Sequence, residues 1–307
     1  MPPRAESAGQ SQQGISFDRS TIDAFSSYLK NGTSENFEHL VSTPGSKLAY
    51  KHHLWSSPWP RITIREFWKK QLEGIRWSER LEASTEEIIY SLKAREKHWL
   101  NPVLKYLPKG HVFHTTVYLI GGYDSIVYGE DVALNLNFKQ YHLDHREATY
   151  YLIHELAHAG YFRYRPMPNL ANLKTSRGLL EAVKLLTHLE GMGVVSSYEL
   201  RIREGGLLDH DYKVLLNQRV RKARVADYFS RLARLEREPN RRLQKEGYRI
   251  FEDFSSRPKR LWYITGAHMA LKIAEIYGTS RLREIVRKGH EAFFRTYAQI
   301  ENPLHLH

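Results

Sequence analysis

The sequence contains no cysteine, and this absence limits the chemistry that the chain can carry. Disulfide bonds, thiolate metal sites and cysteine nucleophiles are excluded together. Any metal ion must therefore be bound by histidine, aspartate or glutamate. The sequence also lacks an apolar run of membrane-spanning length, and its polar N-terminal segment has no hydrophobic stretch typical of a signal peptide. We therefore expect a cytoplasmic protein that does not contact a membrane.

The chain has 307 residues, of which 41% are hydrophobic, so it can bury a sizeable core in one large domain or two small ones. Its formal net charge of +12 would attract acidic partners, nucleic acid among them. The basic residues are spread over many segments, however, and a solvated basic surface explains them more simply. Nucleic acid is therefore a partner that the charge allows but does not favour.

The residue pattern divides the chain into parts. Residues 1–16 are polar and rich in Pro, Ser, Gln and Gly, which predicts a disordered N-terminus. Residues 17–110 are mainly helical in pattern, although the stretch that holds His52 and His53 is expected to be irregular, with both histidines at the surface or in packing contacts. Residues 111–138 are rich in β-branched and aromatic residues and predict a small mixed sheet. Helical patterns follow, so the predicted fold is α+β with a large helical C-terminal part.

A metal-binding pattern lies in the predicted helix 145–163, where His154, Glu155 and His158 form H-E-x-x-H. Residues four apart share one face of a helix, so the two imidazoles would converge on one point. Two histidines and a third protein ligand leave one position of a tetrahedral Zn²⁺ open for water, whose proton Glu155 could accept. A helix with locally hydrogen-bonded histidines, or a metal site without catalytic activity, would be the alternatives.

The start of this helix also has a recognisable pattern. Asp144 is followed three residues later by Glu147, which predicts a capping box at the helix N-terminus.

The third ligand must come from another segment. Tyr161 and Tyr164 occupy the positions where the metzincin pattern needs glycine and histidine, so that arrangement is excluded. A glutamate from a following helix is the other known arrangement, and the candidates are Glu181 and Glu190. They are nine positions apart, roughly 180° around a helix, so one straight helix can direct only one of them to the metal.

Glu190 is the preferred candidate because it lies in the segment HLEGMG, which contains two glycines. Each glycine inside a helix costs about 1 kcal/mol relative to alanine. Close approach of this helix to the metal helix would compensate for that cost and would bring the carboxylate within coordinating range. Glu181 has no comparable explanation.

The last predicted strand, residues 131–138 (DVALNLNF), alternates in polarity. One side carries Val132, Leu134 and Leu136, and the other carries Ala133, Asn135 and Asn137. A half-buried strand with a polar face suits the edge of a sheet. Because it lies just before the metal helix, a peptide could pair with its backbone and reach the metal. An ordinary sheet strand explains the alternation equally well.

The combination of GGYD, VALNLNF, HELAHAGY and HLEGMG resembles gluzincin metallopeptidases. More narrowly, it is similar to poorly characterised bacterial and archaeal zincin-like peptidases in which H-E-x-x-H precedes an E-G-hydrophobic segment. The resemblance implies a zincin-like catalytic domain over residues 111–300, with an edge strand above the metal helix. It also implies zinc bound by His154, His158 and Glu190, with Glu155 as the general base.

Three further residues could stabilise the oxyanion that forms when a peptide carbonyl is attacked. Tyr198 lies two turns beyond Glu190, and Tyr263 and His268 belong to a later helix that is expected to end at Gly278. The alternative for each of the three is that its ring packs in the core and its polar group forms a hydrogen bond within the protein.

The sequence thus predicts a zinc-dependent metallopeptidase that cleaves a peptide or protein substrate by Glu155-assisted attack of a zinc-bound water. The alternative is a basic nucleic-acid-associated protein with a structural metal site, or a protease acting on DNA-bound proteins. Its basis is one arginine-rich helix face, which carries Arg221, Arg224, Arg231 and Arg234. A solvated helix face is the simpler explanation for these arginines.

Overall fold

A computed structural model describes residues 14–56, 61–167, 170, 173–206, 209–243 and 246–301. The described residues form four strands and fourteen helices. This architecture confirms the predicted α+β fold with a small mixed sheet. None of the described helices has both the length and the apolar character needed to cross a bilayer.

The strands form one mixed sheet in the order β1-β2-β4-β3. Their bounds are β1 Gly14–Asp18, β2 His114–Ile120, β3 Ile126–Tyr128 and β4 Asp131–Asn135. β2 runs parallel to both β1 and β4, whereas β3 is antiparallel to β4. The edges of the described sheet are therefore β1 and β3.

The predicted edge strand is an interior strand, which corrects the expectation for residues 131–138. β4 lies between β2 and β3, and Ala133 and Asn135 on its second face are buried. Asn135 tolerates burial because the neighbouring turn satisfies its amide. Its Oδ1 accepts from the backbone N–H of Gly122 at 3.2 Å and of Asn137 at 2.9 Å, and its Nδ2 donates to the Tyr123 carbonyl. The edge that faces the metal helix is β3.

The predicted disordered N-terminus is also wrong where the structure describes it. Residues 14–16 belong to β1, which pairs in register with β2 from Gly14 opposite His114 to Asp18 opposite Tyr118. Backbone pairing of this kind does not depend on an apolar composition. Residues 1–13 of the predicted segment lie outside the described residues.

Eight helices surround the sheet or connect its strands to the metal helix. They are α1 Ser20–Asn31, α2 Ser34–Ser42, α3 Pro44–Ser56, α4 Ile64–Leu72, α5 Glu79–Ala94, α6 Glu96–Tyr106, α7 Lys139–Leu143 and α8 Arg146–Phe162. Because α2 and α3 occupy the stretch that was expected to be irregular, His52 and His53 lie on a helix. Side chains of α1 to α6 share one hydrophobic core with the sheet and with Leu152 and Leu156 of α8.

Six helices form the C-terminal part. They are α9 Ser176–Glu204, α10 His210–Leu216, α11 Gln218–Arg237, α12 Glu246–Ser255, α13 Leu261–Lys288 and α14 His290–Glu301. The helical path of α13 breaks at Gly278, as its sequence predicts, and continues beyond it. These helices share a second hydrophobic core, to which α8 contributes Tyr161. The metal helix therefore lies between the two cores.

A buried ion pair fixes α8 against α9. Arg201 Nη1 lies 2.7 and 2.8 Å from the carboxylate oxygens of Glu147, and both side chains are buried. The guanidinium also lies against the rings of Tyr150 and Tyr212, at 4.4 and 4.3 Å. The predicted capping box is therefore wrong, because the side chain of Glu147 points inward to Arg201. Asp144 does contribute at the helix start, where its Oδ1 accepts from the backbone N–H of Arg146 at 3.1 Å.

We expect Glu147→Gln to lower the free energy of unfolding by about 3–5 kcal/mol, because the change leaves the buried charge of Arg201 without its counter-ion. Urea denaturation measures the loss. The matched control is Glu38→Gln, which removes an exposed ion pair with Arg65 and should cost less than about 1 kcal/mol. Equal losses in the two variants would contradict the role given to the buried pair.

Candidate metal centre

The structure brings the three predicted metal ligands together. His154 and His158 lie one turn apart on α8, and Glu190 faces them from α9. The Nε2 atom of each histidine lies 3.1 Å from Oε2 of Glu190. One potential ligand atom from each residue lies within 4.8 Å of the other two. Two imidazoles and a carboxylate therefore converge on one point.

The two glycines that follow Glu190 explain how α9 reaches this position. A Cβ at Gly193 would lie 2.7 Å from Cε1 of both His154 and His158, so only glycine lets α9 come this close to the metal helix. Gly191 has a different neighbour. A Cβ there would lie 2.3 Å from the carbonyl carbon of Gly266, so this glycine allows α13 to cross α9.

The geometry fits a zinc ion. Tetrahedral zinc with N and O ligands at 2.0–2.2 Å places neighbouring ligand atoms about 3.3 Å apart. Both Nε2–Oε2 distances are close to that value. A set of two imidazoles and one carboxylate leaves one tetrahedral position open, as in hydrolytic zinc sites.

The charges of the three side chains also suit a cation. Burial opposes ionisation of Glu190, but the imidazoles of His158 and His154 hold the pKa of its carboxyl well below the usual range. Burial lowers the pKa of His154, which keeps that imidazole neutral. For His158, the Glu190 carboxylate outweighs burial and raises the pKa. An anionic carboxylate and imidazoles that can give up a proton are what a metal ion requires.

A comparison with protein-family models matches residues 37–302 to a family described as "Putative zinc dependent peptidase (DUF5700)". The chain belongs to this family. The match includes every residue of the metal centre and every helix from α8 to α14. No curated protein and no solved structure matches the chain.

In this DUF5700 protein the three predicted ligands line a cavity of about 690 Å³. Glu155 lines the same cavity, and burial raises the pKa of its carboxyl to about 8. No hydrogen bond from the described protein groups holds this carboxyl. Glu155 is therefore positioned to exchange a proton with a molecule in the cavity. The edge strand β3 contributes Ile126 and Val127 to the wall.

Of the three proposed oxyanion donors, the structure places only Tyr263 at the cavity. Burial raises the pKa of Tyr263, and the nearby Glu190 charge adds to the effect. The ring of His268 contacts Tyr297 instead, because five residues along α13 correspond to roughly 140° around the helix axis. Tyr198 stacks on Tyr212, with ring centroids 6.3 Å apart, and does not line the cavity.

The other candidate ligand, Glu181, lies away from the metal centre. Its side chain is half exposed and pairs with His290 at 2.9 Å. The nine-residue separation on one helix thus has the predicted effect, because Glu190 faces α8 and Glu181 does not.

Sequence reasoning missed several cavity residues because they come from distant segments. His52, interpreted as a surface or packing residue, lines the cavity, and its Nδ1 lies 3.1 Å from the Tyr123 hydroxyl oxygen. Burial lowers the pKa of His52 to about 4, so its ring is neutral at neutral pH. Asp211 and Arg260 also line the cavity and pair with each other at 2.7 Å. None of the three belongs to a motif with characteristic spacing.

Replacement of the two candidate glutamates tests which of them binds the metal. Glu190→Ala removes a ligand and should weaken zinc binding by more than about 100-fold. Glu181→Ala, on the same helix, should leave it unchanged. Elemental analysis after dialysis, with a chelator competition for affinity, measures the effect. Retention of full affinity by Glu190→Ala would contradict the assignment.

Gly193→Ala tests the close approach of α9 to the metal helix. The new methyl group would push both imidazoles from their positions, so we expect zinc affinity to fall by about tenfold or more. Ser196→Ala is the control, since it alters another small buried residue of α9 and should keep the affinity. Unchanged zinc binding in Gly193→Ala would show that the rings do not need this space.

Proposed function

We propose that this protein is a zinc-dependent metallopeptidase that hydrolyses peptide bonds. The observation that carries the proposal is the convergence of His154, His158 and Glu190 on one side of a cavity that Glu155 also lines. A zinc site with a free carboxyl beside it is an arrangement suited to metal-assisted hydrolysis of a peptide bond. The family description, which names zinc and peptidase activity, supports the same conclusion.

The metal would be held by Nε2 of the two histidines and the carboxylate of Glu190. When bound there, zinc supplies a Lewis acid that polarises a carbonyl oxygen and lowers the pKa of a water ligand to about 7. A cation bound beside Glu155 would favour the ionised form of its carboxyl against the effect of burial. As a carboxylate, Glu155 would accept the proton of the attacking water and later donate it to the leaving amine nitrogen. The absence of a described protein partner for this carboxyl leaves it free to do both.

The edge strand β3 is the proposed binding position for the substrate backbone. Ile126 and Val127 of this strand line the cavity, and β3 pairs only with β4 among the described strands. An extended peptide can add to such an edge by backbone hydrogen bonds. β3, rather than residues 131–138, is therefore the proposed strand for pairing with a substrate.

Tyr263 is the proposed donor to the developing oxyanion. Its ring lines the cavity, and the charge of Glu190 acts on its hydroxyl group. A phenol that stays protonated can donate a hydrogen bond to a negatively charged oxygen.

The nucleic-acid alternative has less support. Three arginines of the basic face of α11 bind other parts of the chain. Arg221 donates to the Leu215 carbonyl, Arg224 donates to the Pro258 carbonyl at 3.0 Å, and Arg231 pairs with Asp227 and Asp253. These contacts give the three arginines partners within the protein, so their presence on α11 does not require binding to nucleic-acid phosphates.

Glu155→Gln separates metal binding from catalysis. The amide cannot accept the proton, so we expect peptide cleavage to fall by about 10²- to 10⁴-fold while one zinc ion per chain is retained. Mass spectrometry of a peptide library measures cleavage, and elemental analysis measures zinc. Glu181→Gln is the control and should cleave at the wild-type rate. Full activity in Glu155→Gln would refute the proposed mechanism.

A further inference from the structure

Arg260 has an unusual backbone conformation. With φ 50° and ψ 41°, it is the only non-glycine residue in the described part of the chain with a positive φ. The left-handed conformation is unfavourable for a residue with a side chain and persists where the surrounding structure enforces it. Such residues concentrate at functional sites. Arg260 immediately precedes α13 and lines the cavity of the metal centre.

The guanidinium group of Arg260 is held on two sides. Its Nε donates to the buried carboxylate of Asp211, at 3.1 and 2.9 Å, and its Nη2 lies 2.7 Å from the same carboxylate. The ring of Tyr263 covers one face, 3.3 Å from the guanidinium carbon. The group is therefore fixed in place before any ligand arrives.

One edge of this guanidinium remains open. Asp211 uses the edge formed by Nε and Nη2, whereas the edge that includes Nη1 has no acceptor among the described residues. A planar guanidinium edge with two N–H groups matches a carboxylate, which it binds through two parallel hydrogen bonds. The N-terminus of α13 begins at the next residue, and no side chain caps it in the described structure. Uncapped helical N–H groups add a second attraction for an anion.

Arg260 lines the same cavity as the three predicted metal ligands, His154, His158 and Glu190. The cavity volume of about 690 Å³ is enough for the last residues of a peptide. The neighbouring rings of Phe251 and Trp262, 5.0 Å apart, add an aromatic wall for a large apolar side chain.

We propose that Arg260 binds the C-terminal carboxylate of the substrate, so that the enzyme removes single residues from free C-termini. The inference rests on the proposed peptidase function and adds its substrate class. In the reaction the last peptide C–N bond breaks. Water supplies the hydroxyl group of the new C-terminal carboxylate and the proton that the released amino acid gains at nitrogen.

Two peptides that end in Phe and differ only in a free or amidated C-terminus test this specificity. We expect the zinc-loaded protein to release Phe from the free acid with a kcat/KM at least about tenfold above that for the amide. Arg260→Lys keeps a positive charge to pair with Asp211 but loses the planar guanidinium group that can donate two parallel hydrogen bonds. It should raise KM for the free acid by about 10- to 100-fold, with a smaller change in kcat. Arg249→Gln, an exposed change on α12, should keep the wild-type preference.

A second variant controls for the possibility that the first one loses activity through misfolding. In the double variant Arg260→Gln with Asp211→Asn, no buried carboxylate is left unpaired, and the preference for the free acid should also disappear. Binding measured without turnover provides an independent readout. In a Glu155→Gln background, calorimetry should give a Kd for the free acid about tenfold or more below that for the amide, and Arg260→Lys should remove the difference.

The failures of the two proposals are distinguishable. Internal cleavage of both peptides at equal rates, with Arg260→Lys slowing both, would overturn carboxylate recognition while the peptidase function stands. Equal binding of acid and amide in the Glu155→Gln background would overturn it as well. Arg260-dependent binding of the acid without cleavage of either peptide would support the carboxylate site and refute the peptidase function.

Discussion

The candidate metal centre depends on one largely enclosed carboxylate held between two imidazoles. The side chain of Glu190 is only 14% exposed, and a carboxylate in such a place is costly unless positive charge lies beside it. The imidazoles of His154 and His158 supply that charge only in part, because burial also disfavours their protonation. A divalent cation removes this conflict, since it neutralises the carboxylate and needs both imidazoles neutral. The same three side chains therefore favour a metal ion over a proton.

Helix packing, rather than loops, sets the positions of the three predicted ligands. Gly191 and Gly193 point to opposite sides of α9, roughly 200° apart, so α9 approaches α13 on one side and α8 on the other. About two turns beyond Gly193, the buried pair of Arg201 and Glu147 fixes the same two helices again. Two points of close contact define both the distance and the rotation between α8 and α9. Ligands on rigid elements are held more accurately than ligands on loops.

The sequence predicts those features that depend on spacing within one element. The pattern of His154, Glu155 and His158 follows from the helical repeat, and the choice of Glu190 over Glu181 follows from the same repeat together with the cost of two glycines. The same reasoning fails where one sequence pattern is compatible with two different side-chain contacts. Asp144 and Glu147 match a capping box, yet the buried Arg201 takes the Glu147 carboxylate.

What the sequence does not predict is which distant segments meet. β1 pairs with a strand about a hundred residues further along the chain. β4 pairs with both β2 and β3, so β4 is an interior strand and β3 lies at the edge. His52 reaches the cavity from a helix in the N-terminal part, where no local signal marks it. His268 and Tyr263 lie on one helix in the sequence, but only the first turn of α13 reaches the cavity. Tertiary contacts decide these outcomes, and a single sequence carries little information about them.

The strain at Arg260 links this tertiary arrangement to specificity. A left-handed conformation costs a residue with a side chain about 1–2 kcal/mol, and glycine at this position would avoid the cost. Glycine would also remove the guanidinium that Asp211 and Tyr263 hold beside the metal centre. A buried aspartate that serves only to fold the chain could be replaced, together with its arginine, by apolar residues without loss of stability. The strained backbone of Arg260 and the open edge of its guanidinium group are what the proposed carboxylate site would require.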